Sequence, residues 1–289
     1  MTTEAPAPSA EGAAKSPFFN SNLRRRLVSA AIGIPLLVAA VWGGLPGVVA
    51  VTLAASVLAM FELATFALEA KFRRWWISFP AAGVPAAGVT YALLGGSSDR
   101  ADIVPVLAIG VALQALFSAS VDTGALRRNS RLTAWAAIYT GALLAHAPGI
   151  ATLDNGRSWL LVAIFGTFAV DSAAYFTGRT IGKRKLAPRI SPKKTWEGAI
   201  AGLAAGPAAV LAINSATGLG LPAWEAALIG LAVAFAGTLG DLAESALKRA
   251  VGVKDSSALI PGHGGILDRI DSLAPNLATV YWLAQWTGV

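Results

Sequence analysis

Between Asp241 and Asp271 the sequence gathers Asp241, Glu244, Lys248, Arg249, Lys254, Asp255, His263, Asp268, Arg269 and Asp271, in a chain with only 13% charged residues. Charges set between two apolar stretches need partners, because an unpaired charge near hydrocarbon costs several kcal/mol. Acids, bases and a glycine-flanked histidine together suit binding a metal ion and a phosphate at one place. Asp241, Glu244, Ser245 and Lys248 are spaced i, i+3, i+4, i+7 and share one helix face. A polar face inside an apolar run marks a bundle interior or a water-filled cavity. Asp268 and Asp271 stand three apart where the next apolar run begins, so Asp241 and Asp268 come from different helices and can meet on one ion. Carboxylate oxygens completed by substrate phosphates, without thiolates or an imidazole cage, suit Mg²⁺. The plainer alternative pairs Asp241 with Lys248 and Asp268 with Arg269 as internal ion pairs.

His263 is flanked by Gly262, Gly264 and Gly265, which let the backbone approach a ligand closely. Donation to a phosphate oxygen and general acid–base work are both open to it. His146 has no such company and reads as structural or exposed. With no cysteine, disulfides, thiolate catalysis and zinc–thiolate sites are excluded, and two histidines exclude a histidine-rich metal site.

A second segment concentrates cations: Arg179, Lys183, Arg184, Lys185, Arg189, Lys193 and Lys194. Ser191, Pro192, Lys193, Lys194 and Thr195 precede an apolar run. The unpaired N–H groups and positive dipole end of a helix start, with lysines beside them, make a phosphate site. The plainer reading is a capped helix, with Thr195 as N-cap and Gly198 three residues on. Gly178 and Gly182 allow tight backbone turns there. Asp171 lies two turns before Arg179, about 12 Å deeper along a helix. At that depth a carboxylate faces the bundle interior and finds a cation, or a purely structural hydroxyl partner.

The elements that carry these residues are membrane spans. Hydrophobic residues make up 55% of the 289-residue chain and its mean hydropathy is +0.60. Repeated apolar runs of membrane-spanning length predict an all-α, polytopic integral membrane protein. Nine helices are expected, near 26–44, 46–68, 75–95, 101–121, 132–152, 158–178, 197–217, 223–248 and 271–288. Residues 1–22 read as a disordered tail. Assigning the loops alternately leaves only Arg100 and Arg157 of the 23 lysines and arginines on the far side. The crowded side, with the N-terminus, is therefore cytoplasmic, and both candidate loops, 179–196 and 249–270, fall on it. Tryptophans agree as interface anchors: Trp42, Trp159, Trp224, Trp282 and Trp286 near outer ends, Trp75, Trp76, Trp135 and Trp196 near inner ones. The net charge of +7 is explained by orientation and anionic headgroups, so no nucleic-acid partner is expected.

The run Ser245-x-Leu247-Lys248-Arg249, Lys254-Asp255-x-Ser257, Ile260-Pro261-x-His263-Gly264-Gly265-Ile266-x-Asp268-Arg269-Ile270-Asp271 resembles, at every defined position, the signature of the phosphatidate cytidylyltransferases. Asp171 with Tyr175, Phe176, Gly178 and Arg179, and the stretch 190–198, are similar to that family too. The resemblance covers roughly residues 165–275. It implies the reaction of CTP with phosphatidate to CDP-diacylglycerol and pyrophosphate, dependent on Mg²⁺, with Asp241 and Asp268 holding the metal and room for a second cation such as K⁺. The catalytic set it implies is Asp241, Asp268, Lys248, Arg249, Lys254, His263 and Asp271. Lys193, Lys194, Ser191, Arg179, Arg269, Gly264 and Gly265 would bind substrate phosphates, supported by Asp171 and Glu244. On this reading 23–154 is a membrane scaffold with dimer and lipid contacts, and 155–289 is the catalytic half. A homodimer in a bacterial plasma membrane, its site facing the cytoplasm, follows by the same analogy. The rival class is a transporter or exporter of a phosphorylated lipid or anion, whose intramembrane charges line a path.

Overall fold

The structure is a computed structural model in which residues 21–67, 137–250, 252, 257 and 264–289 are described. The tail up to residue 20, the predicted spans at 75–95 and 101–121, and Lys254 and His263 lie outside the described residues. Helix α1 (Ser21–Trp42) turns back at Gly43 and Gly44 into α2 (Gly44–Ala67), which packs on it. A π-helical turn (Ala137–Leu143) leads to α3 (His146–Ala151), and α4 (Gly156–Thr180) follows. A hairpin of β1 (Lys185–Ala187) and β2 (Ser191–Thr195) then connects to α5 (Trp196–Thr217) and α6 (Ala223–Ala250). A short α7 (Leu267–Ile270) and α8 (Leu273–Thr287) complete the described residues.

Among the described residues α4, α5 and α6 are long and apolar enough to cross a membrane. The 25 residues of α4 extend about 37 Å, more than the roughly 30 Å of bilayer hydrocarbon. These helices pack through small residues. A Cβ on Gly206 of α5 would lie 2.2 Å from the Gly230 carbonyl oxygen of α6, so only glycine permits the crossing. Such close backbone approach replaces the hydrophobic drive that lipid surroundings remove. Trp159, Val162, Ala163, Val210, Ile229, Val233 and Val280 fill the space between α4, α5, α6 and α8. Outward, Ile200, Leu228, Leu231, Phe235 and Leu239 are exposed, as lipid-facing side chains are.

Two contacts join residues that the charge count assigns to one face. At the predicted outer end the Arg157 guanidinium lies 5.5 Å from the centre of the Trp42 ring. At the other end Arg249 Nε donates to the Ile190 carbonyl at 3.2 Å.

Three expectations are corrected. The span at 132–152 is not one helix in its described part: the π-helical turn ends and α3 starts afresh at His146. Pro148, which has no N–H and would break a helix interior, thereby falls in a first turn, where that loss is harmless. Pro275 has the same effect on 271–288: Asp271 and Ser272 keep right-handed helical dihedrals but lie outside α8, which begins at Leu273 and takes Pro275 into its first turn. Trp159 is no interface anchor: it is fully buried and its Nε1 donates to the Val289 carbonyl at 3.1 Å. Trp42, Trp196, Trp224, Trp282 and Trp286 are exposed, as anchors should be. The all-α reading also gains a β-hairpin where an open loop was expected, although the described chain is mostly helical.

Candidate active site

The first wall of the site is the hairpin. Its strands are antiparallel, with Lys185 opposite Thr195 and Ala187 opposite Ser191, so β2 carries extra residues between the two pairs and bulges there. A regular strand points neighbouring side chains to opposite faces; a bulge re-aims them. Consecutive Lys193 and Lys194 accordingly line the same cavity. Thr195 ends the strand and starts α5: its backbone is extended and its hydroxyl accepts the Gly198 amide at 3.2 Å. The capped helix and the cation cluster are both present, at adjacent residues. Glu197 turns back and accepts the Arg184 amide at 3.2 Å, tying the hairpin to the helix. Close packing explains Gly178 and Gly198. A Cβ on Gly178 would lie 2.9 Å from Thr195 Oγ1, and one on Gly198 would lie 2.5 Å from the Ala174 carbonyl.

Behind the hairpin opens a cavity of about 560 Å³, lined by Asp171, Tyr175, Arg179, Lys185, Ser191, Lys193, Lys194, Thr238 and Asp241 among others. That size lies within the range of small-molecule sites. Lys194 Nζ is 2.7 Å from Asp241 Oδ2, so the cation of the hairpin reaches the polar face of α6. Arg179 Nη1 donates to the Tyr175 hydroxyl at 2.8 Å along the end of α4. Asp171 opens on the cavity and receives the Ser272 hydroxyl at 3.5 Å.

The second wall is the polar face of α6. Ser245 Oγ donates to Asp241 Oδ1 at 3.2 Å. One turn further Lys248 Nζ sits 2.5 Å from Glu244 Oε2 and 2.5 Å from Asp268 Oδ1. Glu244 is fully buried, so an ammonium beside it offsets a charge that water cannot reach. Asp268 Oδ2 accepts the Gly265 amide at 2.9 Å, across a turn held by Gly264 at φ +81°. Asp271 Oδ1 accepts the Ser272 amide at 2.7 Å, and the Tyr139 hydroxyl donates to the Asp271 carbonyl. Gly240 permits this approach: a Cβ there would lie 2.4 Å from that same carbonyl oxygen. Asp171, Asp241 and Asp271 lie close enough for their charges to interact, and Arg269 acts on Asp171.

The predicted residues thus fall into two groups. Asp171, Arg179, Ser191, Lys193, Lys194 and Asp241 line the cavity. Glu244, Lys248, Gly265 and Asp268 form an adjoining ion-paired cluster, and Arg249 fastens the end of α6 to the hairpin. The ion pairs differ from those weighed on sequence: Asp241 pairs with Lys194 and Asp268 with Lys248. His146 is structural, its Nδ1 2.8 Å from the Ala142 carbonyl and its ring edge-on to Tyr281. Lys185, one of the cations of the second segment, also lines the cavity; spacing gives no sign of Thr238 in its wall, nor of Tyr139 and Glu62, which reach the second cluster from outside the signature. Glu62 had left a signal, as an acid inside an apolar run.

Chemically, the donors are hard carboxylate oxygens, and the described residues hold no thiolate or group of three acids on one point. A divalent ion that prefers oxygen needs only one or two carboxylates when phosphates and water complete its shell. Asp241 and Asp268 offer such oxygens, each now engaged by a lysine, Asp241 by Lys194 and Asp268 by Lys248; Lys185, Lys193, Lys194 and Arg179 line the cavity as cations for phosphate oxygens.

The sequence model described as the cytidylyltransferase family matches residues 24–287. A phosphatidate cytidylyltransferase of Pseudomonas aeruginosa is 48% identical over 139 residues, 46% of this chain and 50% of that protein. One from Bacillus subtilis is 42% identical over 149 residues, 51% and 55% of the two chains. One from Mycobacterium bovis is 36% identical over 154 residues, 53% and 48%. The chain spans about half the length of the curated relatives it matches. The family match runs through α1, both walls of the cavity and α8; the chain belongs to the cytidylyltransferase family.

Proposed function

We propose that this protein is a membrane enzyme that transfers the cytidylyl group of CTP to phosphatidate, giving CDP-diacylglycerol and pyrophosphate. The observation that carries this reading is the cation-walled cavity joined to α6 by the Lys194–Asp241 pair. The names borne by the relatives supply the substrates. The phosphatidate phosphate is already an anionic nucleophile, so the reaction needs no strong base. Its oxygen attacks the α-phosphorus of CTP while the bond to the departing pyrophosphate breaks.

The obstacle is bringing two polyanions together. Cationic side chains fixed before substrate arrives lower that barrier without reorganising during the reaction. Lys193, Lys194, Lys185 and Arg179 would receive the triphosphate, and Lys248 beside Asp268 would hold its ammonium near the acid cluster. Mg²⁺, held by Asp241 and Asp268, would neutralise phosphate charge when bound; Asp171 and Asp271 stand nearby for a second cation. The long apolar helices support a membrane location. The basic-residue count favours a cavity that faces the cytoplasm, where CTP is available, and a plasma-membrane homodimer is part of the same proposal. Membership of a transferase family removes the ground for a transporter.

Purified protein in detergent, given CTP and Mg²⁺, should release pyrophosphate only when phosphatidate is added. Asp241→Asn and Asp268→Asn should each lower that release by roughly a hundredfold or more, as loss of a preorganised charge does. Release that is indifferent to phosphatidate, or unchanged in both variants, would overturn the reading.

A further inference from the structure

Helix α2 belongs to the half of the chain expected to be scaffold, yet its Glu62 reaches the signature loop. The residue is 2% exposed and lies near the end of an apolar helix. Its Oε1 accepts the Ser257 hydroxyl at 2.6 Å and the Ile266 amide at 2.9 Å; its Oε2 accepts the Leu267 amide at 2.9 Å. The partners are separated from it by 195 to 205 residues of chain. The preceding amide, Gly265, is taken by Asp268 Oδ2 at 2.9 Å. Three successive N–H groups at the entrance to α7 are therefore each received by a carboxylate.

Unpaired amides at a helix start are costly when buried, and a run of them in a turn forms an anion-binding concavity. Here the concavity is filled from within. We propose that Glu62 is the positioning residue of the Asp268 loop: by accepting Ser257 and the Ile266 and Leu267 amides, it fixes the turn that presents Asp268 to Lys248. The catalytic apparatus then extends into the N-terminal half. Gly264 and Gly265 gain a different part from the phosphate cradle expected of them. Gly264 takes φ +81°, and a Cβ there would lie 2.6 Å from Asp268 Oδ2. The two glycines fold the turn onto Asp268. As a statement about catalysis this rests on the function proposed above; as a statement about the turn it does not.

Glutamine is the discriminating substitution. It keeps the shape of Glu62, but either amide orientation sets an NH₂ donor against a donor of the loop. Aspartate keeps the acceptors on a stem one methylene shorter. Hydrogen exchange on the full-length protein in detergent, without substrate, reads the turn, and steady-state kinetics with CTP and phosphatidate read the reaction. In Glu62→Gln, peptides spanning residues 264–270 should exchange at least roughly tenfold faster, while those of α4 and α5 exchange as in the parent. Its kcat should fall by about tenfold or more with the KM for CTP within about twofold, because the hairpin that lines the cavity is untouched. Glu62→Asp should recover part of both losses. Unchanged exchange at 264–270, or exchange accelerated equally in α4 and α5, overturns the proposal; so does a kcat equal to the parent's. A parent that makes no CDP-lipid would count against the function alone, since the exchange result stands without it.

Discussion

The Lys248 ammonium lies 2.5 Å from Asp268 Oδ1 and so joins α6 to α7 across 20 residues of sequence. The same nitrogen lies 2.5 Å from Glu244 Oε2, one turn back on α6. One cation thus serves two acids, one of them fully buried. Breaking a buried pair by removing one partner strands the others, at a cost of about 3–5 kcal/mol. Lys248→Met should therefore lower the unfolding midpoint in detergent markedly. Adding Glu244→Gln should recover part of that loss, because it removes one stranded charge. A double variant no more stable than Lys248→Met would count against the shared pair.

Lys194 and Asp241 form the complementary case. Their side chains retain 24% and 26% of their exposure, and a pair that water still reaches contributes under about 1 kcal/mol. Lys194→Met should leave thermal stability nearly unchanged. It removes a cation from the cavity wall, so the KM for CTP should rise by roughly tenfold or more, measured at saturating phosphatidate.

Two glycine-to-alanine changes separate crowding from helix propensity. At Gly240 a Cβ would meet the Asp271 carbonyl at 2.4 Å and Pro275 Cγ at 2.4 Å. Gly240→Ala should destabilise by about 1–3 kcal/mol and lower activity by displacing the turn that carries Asp271. At Gly33 nothing lies within 4 Å, so Gly33→Ala should be neutral or slightly stabilising. Paired melting curves of the two variants make the comparison.

Removing divalent ions with a chelator should abolish cytidylyl transfer, and Mg²⁺ should restore it. With Asp241 and Asp268 as the proposed ligands, Asp268→Asn should need a higher Mg²⁺ concentration for half-maximal rate. A variant with the parent's Mg²⁺ dependence would remove Asp268 from the metal site.

The polar face of α6 was legible because helical spacing is local: positions 241, 244, 245 and 248 must share a side whatever surrounds them. The N-cap at Thr195 was legible for the same reason. Pairing was not. Lys194 meets Asp241 through a β-bulge, and bulges follow from strand register, which a short segment with two prolines does not announce. The prolines at the breaks, Pro148 and Pro275, are visible in the sequence, but hydropathy windows average over them. The burial of Trp159 is not legible, because a window places a residue along the membrane normal without saying whether it faces lipid or protein. Glu62 shows the largest gap: its partners are fixed by tertiary folding between distant helices, and periodicity within either helix carries no trace of them.

The most direct measurement follows the two ends of CTP. Protein purified in detergent is given phosphatidate, Mg²⁺ and CTP labelled either at the α- or at the γ-phosphorus, and the products are partitioned between organic and aqueous phases. The α label should move into the lipid phase while the γ label leaves as water-soluble pyrophosphate, and neither should move in Asp268→Asn. A γ label in the lipid, or an α label that stays in water with every parent preparation, would contradict cytidylyl transfer at this site.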